Sequence, residues 1–441
     1  MKVITSPSTV SSKGLSGNIR VPGDKSISHR SIMLGAIAEG ETHIRGFLEG
    51  DDALATLAAF KSMGVEIEGP DNGAVTVKGV GLHGLKAPSA PIDLGNSGTS
   101  IRLLAGLLAG QSFAVTLTGD QSLSSRPMER VATPLREMGA KIETAEGGRP
   151  PLKLLGNAKL TAIDYLLPMA SAQVKSCVLL AGLYAEGTTS VVEPAPTRDH
   201  SERMLQGFAY QVDVDGAKAS LTGGGVLQAT DIDVPADISS AAFFMVAASI
   251  TAGSDLVINH VGINPTRTGV IDILRLMGAD IIVSNESVVG GEPVADIRIR
   301  GAQLKGIDIP AELVPLAIDE FPILFIAAAC AGGKTVLSGA EELRVKESDR
   351  IQAMVDGLVA LGVDAVGTED GAIIHGGVIG EGLDVVTVNS CHDHRIAMSF
   401  AIASLRSACT ITILESDNVA TSFPNFVELV NSLGLQITVE H

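Results

Sequence analysis

Lysines and arginines of this chain gather where helices are expected to begin, beside small polar residues. The segments GDKSISHR (23–30), GNSGTSIR (95–102), SAQVKS (171–176), AIDEF (317–321) and CHDHR (391–395) open one set of apolar helices. SLSSRPMER (122–130), PTRDH (196–200) and RVKESDR (344–350) open a second set. A helix start presents unpaired N–H groups and the positive end of the helix dipole, so it attracts anions and is a poor neighbour for cations. Ser, Thr, Asn and Gly serve there as caps and close-approach residues. Lys25, Arg30, Arg126, Arg198, Lys346, Arg350 and Arg395 are therefore badly placed unless an anion lies among them. One arginine near a helix start is ordinarily a surface residue or an ion-pair partner. Recurrence at equivalent places points instead to the clamping of phosphate and carboxylate groups, with Arg as a bidentate fork and Lys as a point charge.

The elements that must carry these side chains repeat six times. An apolar helix ends in a small turn and leads into a strand in AFKSMGVEIEG (59–69), PLREMGAKIET (134–144), FAYQVDVDG (208–216), DILRLMGADIIV (272–283), GLVALGVDAVG (357–367) and LVNSLGLQITV (429–439). The mean spacing is about 74 residues. The turn residues read as Gly64, Gly139, Gln211, Gly278, Gly362 and Gly434, with Gln211 departing from the pattern. Val270, Ile273, Leu274 and Met277 share one helix face, as do Ile351, Met354, Val355 and Leu358. A glycine suits the left-handed turn that ends such a helix, and the alternation Val65-Glu66-Ile67-Glu68 suits a half-buried strand. Each repeat also holds an earlier helix, such as AAFFMVAASI (241–250), apolar on nearly all sides and so expected to be buried. The fold class is α/β, with six strand–helix–strand–helix–strand units divided into two compact domains of three.

The chain has 441 residues, 32 Lys+Arg against 50 Asp+Glu and a formal charge of −18, which disfavours nucleic acid and anionic membranes as partners. Aromatic residues are 3% and Trp is absent, so base-stacking platforms are not expected. Cys177, Cys330 and Cys409 lie in apolar stretches and read as packed, reduced thiols. Residues 1–12 lack the apolar core of a signal peptide, and the most apolar run, 323–331, is about half of the ~20 residues a membrane span needs. A cytoplasmic protein is expected. Metal and nucleotide motifs fail: GGKT at 332–335 has Ala328 where a phosphate loop needs its first glycine, and Cys391-His392-Asp393-His394 lacks helical ligand spacing.

Four segments together resemble one enzyme family: PGDKSISHR (22–30), GNSGTSIRLL (95–104), EELRVKESDR (341–350) and DHRIAMSF (393–400). The chain resembles the 3-phosphoshikimate 1-carboxyvinyltransferases, or EPSP synthases, over nearly its whole length. MASAQVKS (169–176) and EPAPTRDH (193–200) are similar to the more divergent bacterial subgroup. The resemblance implies two domains, each of three βαβαββ units about a pseudo-threefold axis: 22–232, and 1–21 with 233–441. It places the active site in the interdomain cleft. The implied activity transfers the enolpyruvyl group of phosphoenolpyruvate to the 5-hydroxyl of shikimate 3-phosphate, releasing phosphate without metal or cofactor. A monomer acting on small molecules is implied.

Both substrates carry a carboxylate and a phosphate. Two unit charges about 4 Å apart interact by roughly 4 kcal/mol at an effective dielectric near 20, so several cations must separate two such polyanions. By the same resemblance, Lys25, Ser26, Arg30, Ser171, Ala172, Gln173, Arg198, Asp319 and Lys346 form the shikimate 3-phosphate set. Lys25, Gly98 through its N–H, Arg126, Gln173, Arg350 and Arg395 form the phosphoenolpyruvate set. Asp319 is similar to the base for the 5-hydroxyl, and Glu347 to the acid that protonates the methylene carbon, helped by Lys25 or His394. Two departures stand out. Thr421 occupies a position where many members carry lysine, and Lys175 is the candidate substitute cation. Gly98 leaves open the space that alanine fills in glyphosate-resistant members, which implies glyphosate sensitivity. Two other readings are a UDP-N-acetylglucosamine enolpyruvyl transferase and a non-catalytic anion-binding protein of the same fold. Lys25-Ser26 in place of Lys-Asn speaks against the first, and retention of Asp319 and Glu347 against the second.

Overall fold

The repeated helix–turn–strand phrase folds the same way each time. The computed structural model describes residues 1–5 and 14–440, so the N-terminal stretch read for a signal peptide lies mostly outside the described residues. In all six repeats the residue two past the last helical position has positive φ: Gly64 (86°), Gly139 (94°), Ala209 (59°), Gly278 (95°), Gly362 (80°) and Gly434 (96°). The N–H of the next residue reaches back five positions, as Val65 to Phe60 (3.1 Å) and Tyr210 to Leu205 (2.9 Å). This closing pair satisfies carbonyls the helix end would otherwise leave open. The third turn therefore falls on Ala209, not Gln211. Phe208 takes the place of the usual Met or Leu, and the missing glycine hid the register of that repeat.

Among the described residues the repeats build six sheets, five of four strands and one of three. In the second repeat Ile92–Asp93 runs parallel to Val115–Thr118 with the helix Gly98–Ala109 between them. Val115–Thr118 pairs antiparallel with Arg149–Leu154, which pairs antiparallel with Ile142–Ala145 after the helix Glu129–Glu137. This is a βαβαββ unit. Three other sheets take their first strand from elsewhere in the chain or fill it differently. Ile232–Asp233 lies parallel to Glu39–Arg45. Ser16–Ile19 lies parallel to Asp255–Gly262. In the fifth repeat two isolated bridges, Lys305 to Gly332 and Asp308 to Val336, stand in that place. The N-terminal strand Lys2–Thr5 is antiparallel to both Thr410–Leu414 and Ile437–Glu440, with Val3 facing Ile413 on one side and Val439 on the other.

Two units result. One comprises Met1–Pro22, Ala236–Ser287 and Pro293–His441; the other comprises Gly23–Pro235 and Val288–Glu292. Each has its own core. In the first, every residue of the helix Ile238–Ile250 is buried, because it packs against both Phe321–Ala329 and His394–Ala403. Burying each Leu, Ile or Phe side chain there contributes roughly 1.5–3 kcal/mol. In the second, Gly98–Ala109 packs against Ala172–Gly182. A Cβ on Gly106 would lie 2.1 Å from the Cys177 carbonyl oxygen, so only glycine lets these backbones approach. No described helix is long and apolar enough to cross a membrane.

Candidate active site

Within the Gly23–Pro235 unit, polar side chains collect at three helix starts. Asp24 caps Lys25–Ile37 by accepting from Ile27 N at 2.9 Å. Ser97 caps Gly98–Ala109 by accepting from Ser100 N at 3.1 Å. Ser171 caps Ala172–Gly182 by accepting from Val174 N at 3.4 Å. Lys25 Nζ is 2.9 Å from Asp52 Oδ2, with both side chains mostly buried. Arg30 is buried and held by hydroxyls and a carbonyl: Nε donates to Ser201 Oγ at 2.8 Å, Nη2 to Ser176 Oγ at 2.8 Å, and Nη1 to Ser26 O at 3.0 Å. Gln173 accepts from Arg102 Nη1 and donates to Thr99 Oγ1 at 3.1 Å. Arg126, also buried, donates through Nη2 to Asn96 Oδ1 at 2.6 Å and to Ser122 Oγ at 3.1 Å. A Cβ on Gly98 would meet Arg126 Nη1 at 2.9 Å and Arg102 Nη1 at 3.5 Å. The Gly98 backbone thus shares its space with two guanidinium groups. Arg198 is half-buried just before the helix His200–Gly207.

Lys175 does not join this group. Its Nζ is 3.1 Å from Glu193 Oε1 and 2.8 Å from Glu202 Oε1, with the side chain buried. It is consumed in a buried ion triad and cannot replace the cation absent at Thr421. The Thr421 hydroxyl itself donates to Asn418 O at 2.7 Å.

The other unit carries the carboxylates. Arg350 opens the helix Arg350–Ala360 and is fully buried. Its Nε donates to Asp393 Oδ2 at 2.8 Å, Nη1 to Asp319 Oδ1 at 3.2 Å, and Nη2 to Glu347 Oε2 at 2.5 Å. Lys346 Nζ lies 3.6 Å from Asp319 Oδ1. Asp393 caps His394–Ala403 through Arg395 N at 2.9 Å. Arg395 Nη1 donates to the Asp319 carbonyl at 3.0 Å and lies 3.8 Å from Glu320 Oε1. His394 Nε2 and Ser422 Oγ are 3.2 Å apart. Burial opposes the charge on Arg350, yet Asp393 and Glu347 hold its pKa above the usual arginine value. Burial, with Arg350 next to it, pushes Arg395 the other way. An anion docking beside Arg395 would relieve both burdens.

Sequence reading missed Asn96, Asp52 and the buried set Asp237, Ser239, Arg267 and Glu320. Arg267 Nη2 donates to Ser239 Oγ at 2.6 Å and to Asp237 Oδ1 at 3.2 Å. Ser239 Oγ in turn donates to Glu320 Oε1, whose carboxylate backs Arg395. A signal existed: Pro265-Thr266-Arg267 repeats the Pro196-Thr197-Arg198 of the preceding unit. Among the described residues, no group of three or more His, Cys, Asp or Glu side chains is disposed to hold a metal ion.

Six repeats, five of them complete βαβαββ units and one with isolated bridges in place of its first strand, carry arginines and lysines at their helix starts and define an enolpyruvyl-transferase fold. The solved enolpyruvyl transferase NikO from Streptomyces tendae shares that fold, with a TM-score of 0.78 over 99% of this chain and 98% of NikO at 17% identity. The family model for EPSP synthase (3-phosphoshikimate 1-carboxyvinyltransferase) matches residues 10–430, and the chain belongs to that family. A 3-phosphoshikimate 1-carboxyvinyltransferase of Hydrogenovibrio crunogenus is 66% identical over 429 residues, 96% of each protein. One from Legionella pneumophila is 60% identical over 96% of each. A crystal structure of EPSP synthase from Acinetobacter baumannii superposes with a TM-score of 0.89 at 61% identity, covering both chains in full.

Proposed function

We propose that this chain transfers the enolpyruvyl group of phosphoenolpyruvate to the 5-hydroxyl of shikimate 3-phosphate and releases phosphate. The observation that carries the reading is the joint hold of Arg350 on Asp319 and Glu347, the two carboxylates the reaction needs as base and acid. The assigned residues fall in two clusters. One holds Lys25, Arg30, Gly98, Arg126, Gln173 and Arg198; the other holds the carboxylates with Lys346, Arg350 and Arg395. Both are assigned to one pair of substrates.

Asp319 takes the proton of the 5-hydroxyl as its oxygen attacks C2 of phosphoenolpyruvate. Glu347 delivers a proton to C3, giving a tetrahedral ketal. The ketal then expels phosphate as C3 loses a proton and the double bond reforms. Lys25, Arg126, Arg350 and Arg395 balance the charge of the phosphoenolpyruvate carboxylate and phosphate, and the Gly98 N–H adds a helix-start donor. Ser26, Arg30, Ser171, Ala172, Gln173, Arg198 and Lys346 hold shikimate 3-phosphate, with Gln173 and Lys25 reaching both ligands. His394 assists the proton transfers. The protein works as a cytoplasmic monomer without metal or cofactor. Mass spectrometry of a reaction held with chelator tests this: shikimate 3-phosphate should gain one enolpyruvyl group. An unchanged acceptor, or a product that disappears with the chelator, would refute it.

A further inference from the structure

His29 sits one turn into the helix Lys25–Ile37 and is fully buried. Its Nδ1 is 2.8 Å from Thr56 Oγ1. Thr56 Oγ1 is 2.7 Å from Ser100 Oγ, and Ser100 Oγ is 2.6 Å from Ser97 Oγ, the cap of the helix Gly98–Ala109. The helix that carries Thr56 also carries Asp52, the partner of Lys25. A line of hydrogen bonds therefore runs from the Lys25 helix, through the next one, to the start of the Gly98 helix.

The neutral ring and the shorter distances set a direction for the protons along this line. Burial, with the charges of Lys25 and Arg30, pulls the imidazole pKa down to about 3, so the ring is neutral and carries a single N–H. His29 Nε2 is buried without a hydrogen-bond partner. A buried N–H without an acceptor is rarer than an under-used acceptor, so the proton belongs on Nδ1. His29 Nδ1–H then donates to Thr56 at 2.8 Å, shorter than its 3.4 Å to Ser100 Oγ. The Thr56 hydroxyl donates to Ser100 at 2.7 Å in preference to Asp52 O at 3.4 Å, and the Ser100 hydroxyl to Ser97. Ser97 Oγ accepts twice, from the Ser100 hydroxyl and from Ser100 N. This fixes the cap rotamer, and with it the path of the backbone at Gly98.

We propose that His29 is a positioning residue for phosphoenolpyruvate: through Thr56 and Ser100 it fixes the Ser97 cap, and so aims the Gly98 N–H at the substrate phosphate. The inference rests on the role given to Gly98 above. It adds a demand that role does not contain, a donor at Nδ1 of a buried, neutral histidine. Asn at position 29 can place an N–H near the Nδ1 site, Gln reaches instead toward the Nε2 site, and Leu supplies neither. Thr56→Val removes the relay without touching the histidine.

Two readouts test this: KM for phosphoenolpyruvate against kcat at saturating shikimate 3-phosphate, and amide hydrogen exchange at residues 98–100. His29→Leu, His29→Gln and Thr56→Val should each raise KM about ten-fold with kcat changed less than about three-fold, as expected for loss of a contact made equally in ground and transition states. Exchange at the Ser100 amide should quicken in the same three variants, and His29→Asn should recover most of both properties. If His29→Leu does not fold, Thr56→Val carries the test. Wild-type KM and exchange in Thr56→Val, or rescue by Gln and not by Asn, would overturn the proposal. A wild-type protein that turns over no phosphoenolpyruvate would overturn the role of Gly98 instead, while the exchange pattern would still decide whether the relay exists.

Discussion

Arg350 and Asp319 touch, at 3.2 Å between Nη1 and Oδ1, although one is assigned to phosphoenolpyruvate and the other to the 5-hydroxyl of its acceptor. The same guanidinium holds Glu347 and Asp393. One buried cation thus orients the two carboxylates proposed as base and acid, together with the cap of the next helix. Charge-assisted bonds of this kind are the strong ones, and the five N–H donors of a rigid planar fork let one side chain hold three carboxylates in fixed directions.

Asp319→Asn keeps the shape of the carboxylate and removes its basicity. A positioned base contributes about 10²–10⁴-fold, so kcat should fall at least ~100-fold while both KM values move only modestly. Steady-state phosphate release checks this, and unchanged turnover would remove Asp319 from the mechanism.

Gly98→Ala sets a methyl group 2.9 Å from Arg126 Nη1. Overpacking of this kind costs about 1–3 kcal/mol, so KM for phosphoenolpyruvate should rise roughly ten-fold. Glyphosate should inhibit the wild-type protein at sub-saturating phosphoenolpyruvate and lose most of its potency against the variant. Equal inhibition constants for the two proteins would contradict the packing argument.

Lys175→Met should damage stability more than catalysis. It would leave Glu193 and Glu202 facing each other without their shared cation. Breaking a buried ion pair from one side costs about 3–5 kcal/mol, which urea unfolding would register. A variant of wild-type stability with a raised KM for phosphoenolpyruvate would return Lys175 to the site.

His29 makes stability depend on pH. Its folded pKa of about 3 lies below the unfolded value of 6.5, so between those limits the unfolded chain binds the extra proton. Stability from this group is complete above about pH 6.5 and drains away as pH falls toward 3, by about 1.4 kcal/mol per pH unit. Denaturation midpoints of wild type and His29→Asn across that window should diverge, with the variant showing the shallower slope. Parallel slopes would contradict the depressed pKa.

Ala209 holds a left-handed conformation, φ 59°, where the other five repeats use glycine. Relief of that strain predicts that Ala209→Gly stabilises the protein by about 0.5–1 kcal/mol, read as a higher Tm. A lowered Tm would mean that the Ala209 methyl packs usefully.

What sequence made legible follows the range of the interactions involved. The closing turn of each repeat is local: five of the six turns are marked by a glycine, and the helix before each follows a short apolar period. Cations at helix starts stood out because they oppose the dipole. Ala209 was misread because the turn there has no glycine to mark it. Lys175 was misread because its carboxylates lie 18 and 27 residues onward, at Glu193 and Glu202, with nothing local to reveal the pairing. The Asp237–Ser239–Arg267–Glu320 set joins two repeats, and so does His29–Thr56–Ser100. No periodic pattern marks such meetings; only the repeated Pro-Thr-Arg hinted at the first.

The two clusters of this chain are proposed to serve one enolpyruvyl transfer. Initial rates of phosphate release from phosphoenolpyruvate, measured with chelator and with shikimate 3-phosphate, UDP-N-acetylglucosamine or no acceptor, test it most directly. Release should be rapid with shikimate 3-phosphate alone and abolished by Arg350→Ala. Release that depends on UDP-N-acetylglucosamine, or none with any acceptor, would contradict it.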